Sequence, residues 1–229
     1  VHRFLHYPLR RHRHLCIRDR VDTPVVANYD SDIILPLESY INATNMICKG
    51  WVHPDAEGGE PVKIIYPYGY GDYQWQCHVG DNEVTNFINS GFNFEYFNGH
   101  MRQWDAKYGF CQFFSTQKYI EGGLENEGFV AYGYEDDERF QRFSRLSKVY
   151  RIEDMVWHLE HERTSNSWFN NPHIEDNRKL YEKLIKMKPK ELLKFCQTQE
   201  YMKTRCILDG EYQGDLDPEL FDAMWEENG

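Results

Sequence analysis

The run Thr23-Pro-Val-Val-Ala-Asn-Tyr-Asp-Ser-Asp-Ile-Ile-Leu35 constrains the fold more than any other stretch of the chain. Its β-branched residues read as a buried strand that stops at an acidic turn. Ligands of open α/β sheets gather outside the C-terminal ends of strands, so carboxylates delivered there point to an α/β fold with a site at the sheet edge. Pro36 suits the opening of a helix over 37–48. Residues 62–68 read as another strand, and Gly69-Tyr70-Gly71-Asp72 as a turn. Residues 73–105 are polar and aromatic without a period, which predicts irregular structure belonging to a binding cleft. Residues 109–114 read as a strand and 116–121 as a short helix before Gly122-Gly123. Phe140, Phe143, Leu146 and Val149 recur every three residues, as on one face of a helix. From 176 to 205 the chain is rich in Lys and Leu and is expected to be helical.

The chain has 229 residues, enough for one domain or for one domain with a small helical appendage. The expected division is an α/β domain over 1–175 and a C-terminal helical extension with an acidic tail over 176–229. A net charge of −11 argues against a broad nucleic-acid footprint, which needs clustered positive charge. Arg3, Arg10, Arg11, Arg13, Arg18 and Arg20 make the start basic. That segment is either a solvated face or a peripheral contact for phosphates or an anionic membrane surface. The six cysteines lie far apart with no C-x-x-C pair, which reads as free thiols in a reducing compartment and points to the cytoplasm. No apolar run approaches the ~20 residues that a membrane span needs.

Four groups can carry chemistry. Asp30-Ser31-Asp32 places two carboxylates one residue apart at a strand end, where hard oxygen ligands suit Mn²⁺ or Mg²⁺ on a diphosphate; surface loops also contain this pattern often. Glu135-Asp136-Asp137-Glu138 is either a charged helix N-terminus or, presented by Tyr132-Gly133-Tyr134, a general base at the mouth of a cleft. His158-Leu-Glu-His161 can share a metal or belong to a half-buried strand. The stretch from Asn166 to Asn177 offers amide donors and acceptors to a ligand, or simply builds a turn around Asn171-Pro172.

In this order, the four elements together with Gly122-Gly123 and Arg163 resemble inverting glycosyltransferases of the GT-A fold. The closest likeness is to the C-terminal half of the beta-galactosyltransferase and polypeptide-GalNAc-transferase-like group and to bacterial capsule glycosyltransferases. The resemblance runs from about Thr23 to Leu180. It implies a GT-A-like mixed sheet flanked by helices and a Mn²⁺ (or Mg²⁺) cofactor. It also implies a UDP-sugar donor and a carbohydrate acceptor in polysaccharide biosynthesis. Asp32 would ligate the metal directly and Asp30 through water or the donor ribose, with His161 and His158 as further ligands. Asp136 would be the catalytic base, and Glu135 would hold the donor sugar or acceptor hydroxyls. Tyr132, Tyr134, Gly123, Arg163 and Asn166 would touch substrate, Arg163 at the diphosphate. The family's Trp-Gly is replaced here by Tyr132-Gly133-Tyr134, and its Gly-Gly-Phe turn by Gly122-Gly123-Leu124. Its uridine pocket precedes the D-x-D, whereas Asp30 stands near the start of this sequence, so a missing N-terminal half or a partner chain is expected to supply that pocket. Two other readings are a degenerate GT-A domain that binds glycan or scaffolds a synthase, and a metal-dependent hydrolase.

Overall fold

The computed structural model describes residues 23–54, 59–161 and 170–202. The chain is mixed α/β, but the strands form two four-stranded sheets where the sequence suggested one. The first sheet contains β1 (Val25–Tyr29), β3 (Ile64–Tyr66), β6 (Cys111–Ser115) and β7 (Val149–Arg151), in the order β1-β6-β3-β7. The second contains β2 (Ile33–Ile34), β4 (Gln74–Cys77), β5 (Met101–Gln103) and β8 (Val156–Leu159), in the order β2-β8-β4-β5. In each sheet one pair is parallel, β3 with β7 and β4 with β8, and the other pairs are antiparallel.

Alternation along the central strands divides the core. Ile65 and Phe113 pack on one side with Ala43 and Ile47 of α1 (Leu37–Cys48). Their neighbours Ile64 and Phe114 pack on the other side with Tyr119 of α3 (Thr116–Glu121) and Phe143 of α4 (Glu135–Ser144). Each buried side chain of this size stabilises the fold by about 1.5–3 kcal/mol. The second sheet has its own apolar layer, in which Trp157 and Cys77 meet Phe97 and Phe87, the latter on α2 (Asp81–Asn89). Two helices, α5 (Ile174–Leu184) and α6 (Pro189–Gln197), follow where one helical stretch was expected. Leu184, Leu192 and Cys196 pack on Phe129, and Met202 enters the cluster around Phe114.

Three expectations are corrected. The strand stops at the acidic turn as expected, but Ile33–Ile34 beyond the turn form a second strand in the other sheet. Residues 73–105 are not irregular: they form β4, α2 and β5. Strand β4 escapes a hydropathy reading because Gln74 and Gln76 are buried yet hydrogen-bonded, Gln74 to Gly69 O and Ala106 N, Gln76 to Arg102. Helix α4 begins at the acids themselves and ends at Ser144, so Val149 lies on β7 and not on the helix. The basic start and the acidic tail lie outside the described residues. Among the described residues no helix is long and apolar enough to cross a membrane.

Candidate functional site

The site forms where the chain passes between the two sheets. Five connections make that passage: four short ones, 30–32 after β1, 67–73 after β3, 104–110 before β6 and 152–155 after β7, and the longer return from β2 to β3 through α1. Asp30 N donates to Phe110 O at 2.9 Å, which joins the first and third of them. The acidic turn is itself tied shut, because the Tyr29 hydroxyl donates to Ile33 O at 3.0 Å and meets the Tyr40 hydroxyl of α1.

Pairing of β2 with β8 brings His158 opposite Ile33, and Leu159 N donates to Asp32 O at 2.7 Å. Asp32 Oδ2 consequently lies 3.5 Å from His158 Nε2 and 3.0 Å from His161 Nε2. One ligand atom from each of the three residues lies within 4.8 Å of the others. Hydrogen bonding to His158, ahead of the charge of His161, holds the Asp32 carboxyl below its usual range. His161 stands closer but is 60 % exposed, so solvent screens it. Asp32 Oδ1 and His158 Nδ1 are buried without a hydrogen-bond partner among the described residues. Such atoms are rare in native structures and are expected where an ion binds.

Asp30 neighbours this cluster. The residue is exposed, yet the surrounding protein desolvates its carboxyl. That desolvation, with repulsion from Asp136 and Asp32, pushes its pKa up. Asp136, from the first turn of α4, therefore shares one electrostatic environment with the Asp30–Asp32 turn. Arg139 Nη1 donates to Asp136 Oδ1 at 2.5 Å and to Gln112 Oε1 at 3.0 Å. Its remaining edge grips both oxygens of Glu125 at 2.9–3.0 Å. Gln112 also accepts from Asn28 Nδ2 at 3.2 Å, so one polar chain runs from β1 through β6 to α4. On its other side Asp136 packs against Gly109, where an added Cβ would lie 3.1 Å from Oδ2.

Glu135 accepts from Gly133 N at 2.5 Å, and burial followed by repulsion from Asp136 raises its pKa to about 7. Asp137 is shifted upward in the same way. Glu138 turns inward and pairs with the fully buried Arg142, a packing role.

The structure brings together Asp30, Asp32, His158, His161, Asp136 and Glu135, and it leaves one candidate elsewhere. Gly123, at φ +87°, packs where a Cβ would meet Cys196 at 2.7 Å, and its carbonyl accepts from Tyr201, so its lack of a side chain serves helix packing. Tyr132 is exposed near α4, and Tyr134 is the residue before that helix, at φ 71° with its ring stacked on Tyr181. Arg163 and Asn166 lie outside the described residues. Asn171 and Asn177 are buried and hold the carbonyls of Val130, Tyr132 and Gly133, so the amide-rich stretch braces the segment that presents the acids. Arg139, which Glu125 and Gln112 also hold, was not singled out in the sequence as the partner of Asp136.

No family model matches the chain, and no curated protein matches it.

Proposed function

We propose that this chain is a metal-dependent glycosyltransferase that moves a hexose or N-acetylhexosamine from a UDP-sugar to a sugar hydroxyl with inversion. One observation carries the reading: a carboxylate–bis-imidazole cluster (Asp32, His158, His161) stands beside a second carboxylate, Asp136, oriented by its own arginine. Asp32, His158 and His161 would hold the ion. Two imidazoles with a carboxylate suit Mn²⁺ better than Mg²⁺, which prefers oxygen ligands and retains water. When bound, Mn²⁺ would supply positive charge to the diphosphate of the leaving nucleotide.

Asp136 is the base in this scheme. It takes the proton of the acceptor hydroxyl as that oxygen bonds to the anomeric carbon, and the bond from that carbon to the diphosphate oxygen breaks on the opposite face. Arg139 leaves Asp136 Oδ2 uncommitted by gripping Oδ1. Glu135, with its raised pKa, can donate or accept a hydrogen bond to a sugar hydroxyl near neutral pH.

Titration of UDP with and without Mn²⁺, followed by product analysis of Asp136→Asn, tests the reading. Metal-dependent UDP binding and a variant that binds donor but loses several orders of magnitude in transfer are the expected results. Free sugar as the sole product in the presence of acceptors would replace transfer by hydrolysis. Metal-independent or absent UDP binding would remove the donor assignment.

A further inference from the structure

Residues 66–70 leave the first sheet as Tyr-Pro-Tyr-Gly-Tyr and arrange three rings around one cation. The guanidinium carbon of Arg151 lies 4.1 Å from the ring centroid of Tyr66, 5.1 Å from that of Tyr68 and 3.7 Å from that of Tyr70. Its amino groups donate to the carbonyls of Tyr68 and Lys107. Tyr66 and Tyr68 are buried, whereas Tyr70 is 50 % exposed. One aromatic ring therefore stands in solvent while a fixed cation supports it. A free surface tyrosine loses rotamer entropy when a ligand stacks on it; this ring has lost much of that freedom before any ligand arrives.

A second exposed aromatic opens the 104–110 connection. Trp104 is 38 % exposed, with the Arg102 guanidinium 5.3 Å from its ring. Gln103, beside it, donates to Asp72 at 2.7 Å and so ties the end of β5 to the turn that follows Tyr70. Asp72 and Gln103 thus give the turn that follows Tyr70 a polar rim. This place adjoins Asp136, because Lys107, whose carbonyl Arg151 holds, is two residues from the Gly109 on which Asp136 packs. Lys107 and Phe110 adopt left-handed φ values of 53° and 66°. Non-glycine residues take such values at a cost of about 1–2 kcal/mol, so the surrounding contacts must fix the segment.

The chemistry of this surface selects its occupant. A flat ring rimmed by a carboxylate and an amide meets the C–H face of a pyranose while bonding its hydroxyls. A protein partner would call for a continuous apolar patch, and charged groups interrupt this one. A polynucleotide would bring phosphates to a chain of net charge −11, beside Asp72 and Asp105.

We propose that Tyr70 and Trp104 form a carbohydrate-binding shelf for a neutral oligosaccharide, so that the acceptor is at least a disaccharide whose outer sugar rests on Tyr70. The placement of the inner sugar at Asp136 rests on the glycosyl-transfer reading; binding at the shelf does not require it.

Saturation-transfer NMR and calorimetry on the full chain, without donor, test the shelf. The probes are lactose, N-acetyllactosamine, diacetylchitobiose, maltose and xylobiose, each with its component monosaccharides. At least one disaccharide is expected to bind about tenfold more tightly than its monosaccharides, with a similar loss in Tyr70→Ala, as base–aromatic and sugar–aromatic stacking of ordinary strength gives. Tyr70→Phe retains the ring and is expected to retain binding. Trp104→Ala provides a second variant, and thermal melts of each confirm folding. Absence of binding by every probe, or equal binding by wild type and Tyr70→Ala, overturns the proposal. UDP titration with Mn²⁺ on the same sample separates the two readings. Disaccharide binding without UDP binding removes the transferase assignment and keeps the shelf, whereas UDP binding without disaccharide binding removes the shelf alone.

Discussion

Arg139 holds Asp136 by one oxygen, at 2.5 Å, and holds Glu125 by two. The arginine is buried, while the Asp136 side chain keeps 30 % of its surface open. A fixed fork thus grips one oxygen of the carboxylate, while the other oxygen lies beside Gly109. Arg139→Met should destabilise the chain by about 1–3 kcal/mol, because the half-buried Glu125 loses its guanidinium partner. Adding Glu125→Gln should restore part of the stability and none of the transfer rate. Urea denaturation and single-turnover transfer, run side by side, check this pair; a double variant with restored rate would reduce Arg139 to a packing role.

Glu135 makes stability fall with rising pH. Its folded pKa, about 7, lies above the model-compound value of 4.5, so the folded state binds the proton more tightly than the unfolded state. The stabilisation from this group is fully present below about pH 4.5 and is lost as pH rises through about 7. Glu135→Gln keeps an oxygen for Gly133 N and cannot ionise. It should gain on wild type between those pH values, by no more than about 3 kcal/mol at pH 8. Melts across that range decide, and a pH-independent difference would contradict the assignment.

Manganese should stabilise the fold through Asp32, His158 and His161. A ligand present at a hundred times its dissociation constant adds about 2.7 kcal/mol, a shift of several degrees in melting temperature for a chain of this size. Asp32→Ala should abolish the shift, and His161→Ala should weaken it. EDTA should return wild type to the metal-free melting curve. An undiminished shift in Asp32→Ala would place the ion elsewhere.

Tyr134 combines a cost with a gain. Its φ of 71° is a left-handed conformation, and its ring stacks on Tyr181 at 5.4 Å between centroids. Tyr134→Ala loses the stack and keeps the conformation, whereas Tyr134→Gly loses the stack and relieves the backbone. The glycine variant should therefore be more stable than the alanine variant by about 1 kcal/mol. Equilibrium unfolding of both variants measures the difference directly.

Much of this arrangement was legible where local chemistry dominates. The apolar run ending in Asp30–Asp32 formed β1 and its turn, and Leu37–Cys48 formed a helix after Pro36. The spacing of His158 and His161 put both near Asp32, but only the β2–β8 register explains why. Burial paid for by distant partners was not legible. Gln74 and Gln76 read as loop residues until Ala106 and Arg102 meet them across the sheet. Glu125 lies 14 residues from Arg139, and nothing in either local sequence pairs them. Arg151 likewise shows no local sign of the three rings around it.

The passage of the chain between its two sheets by five separate connections has an evolutionary consequence. Each joins strands of different sheets, so the register of either ladder does not depend on the length of the connection. An insertion in 104–110 or 67–73 would reshape those segments while Ile33 stays opposite His158 and Asp32 stays beside it. A lineage carrying this frame can change those loops one at a time and keep the Asp32, His158 and His161 cluster throughout.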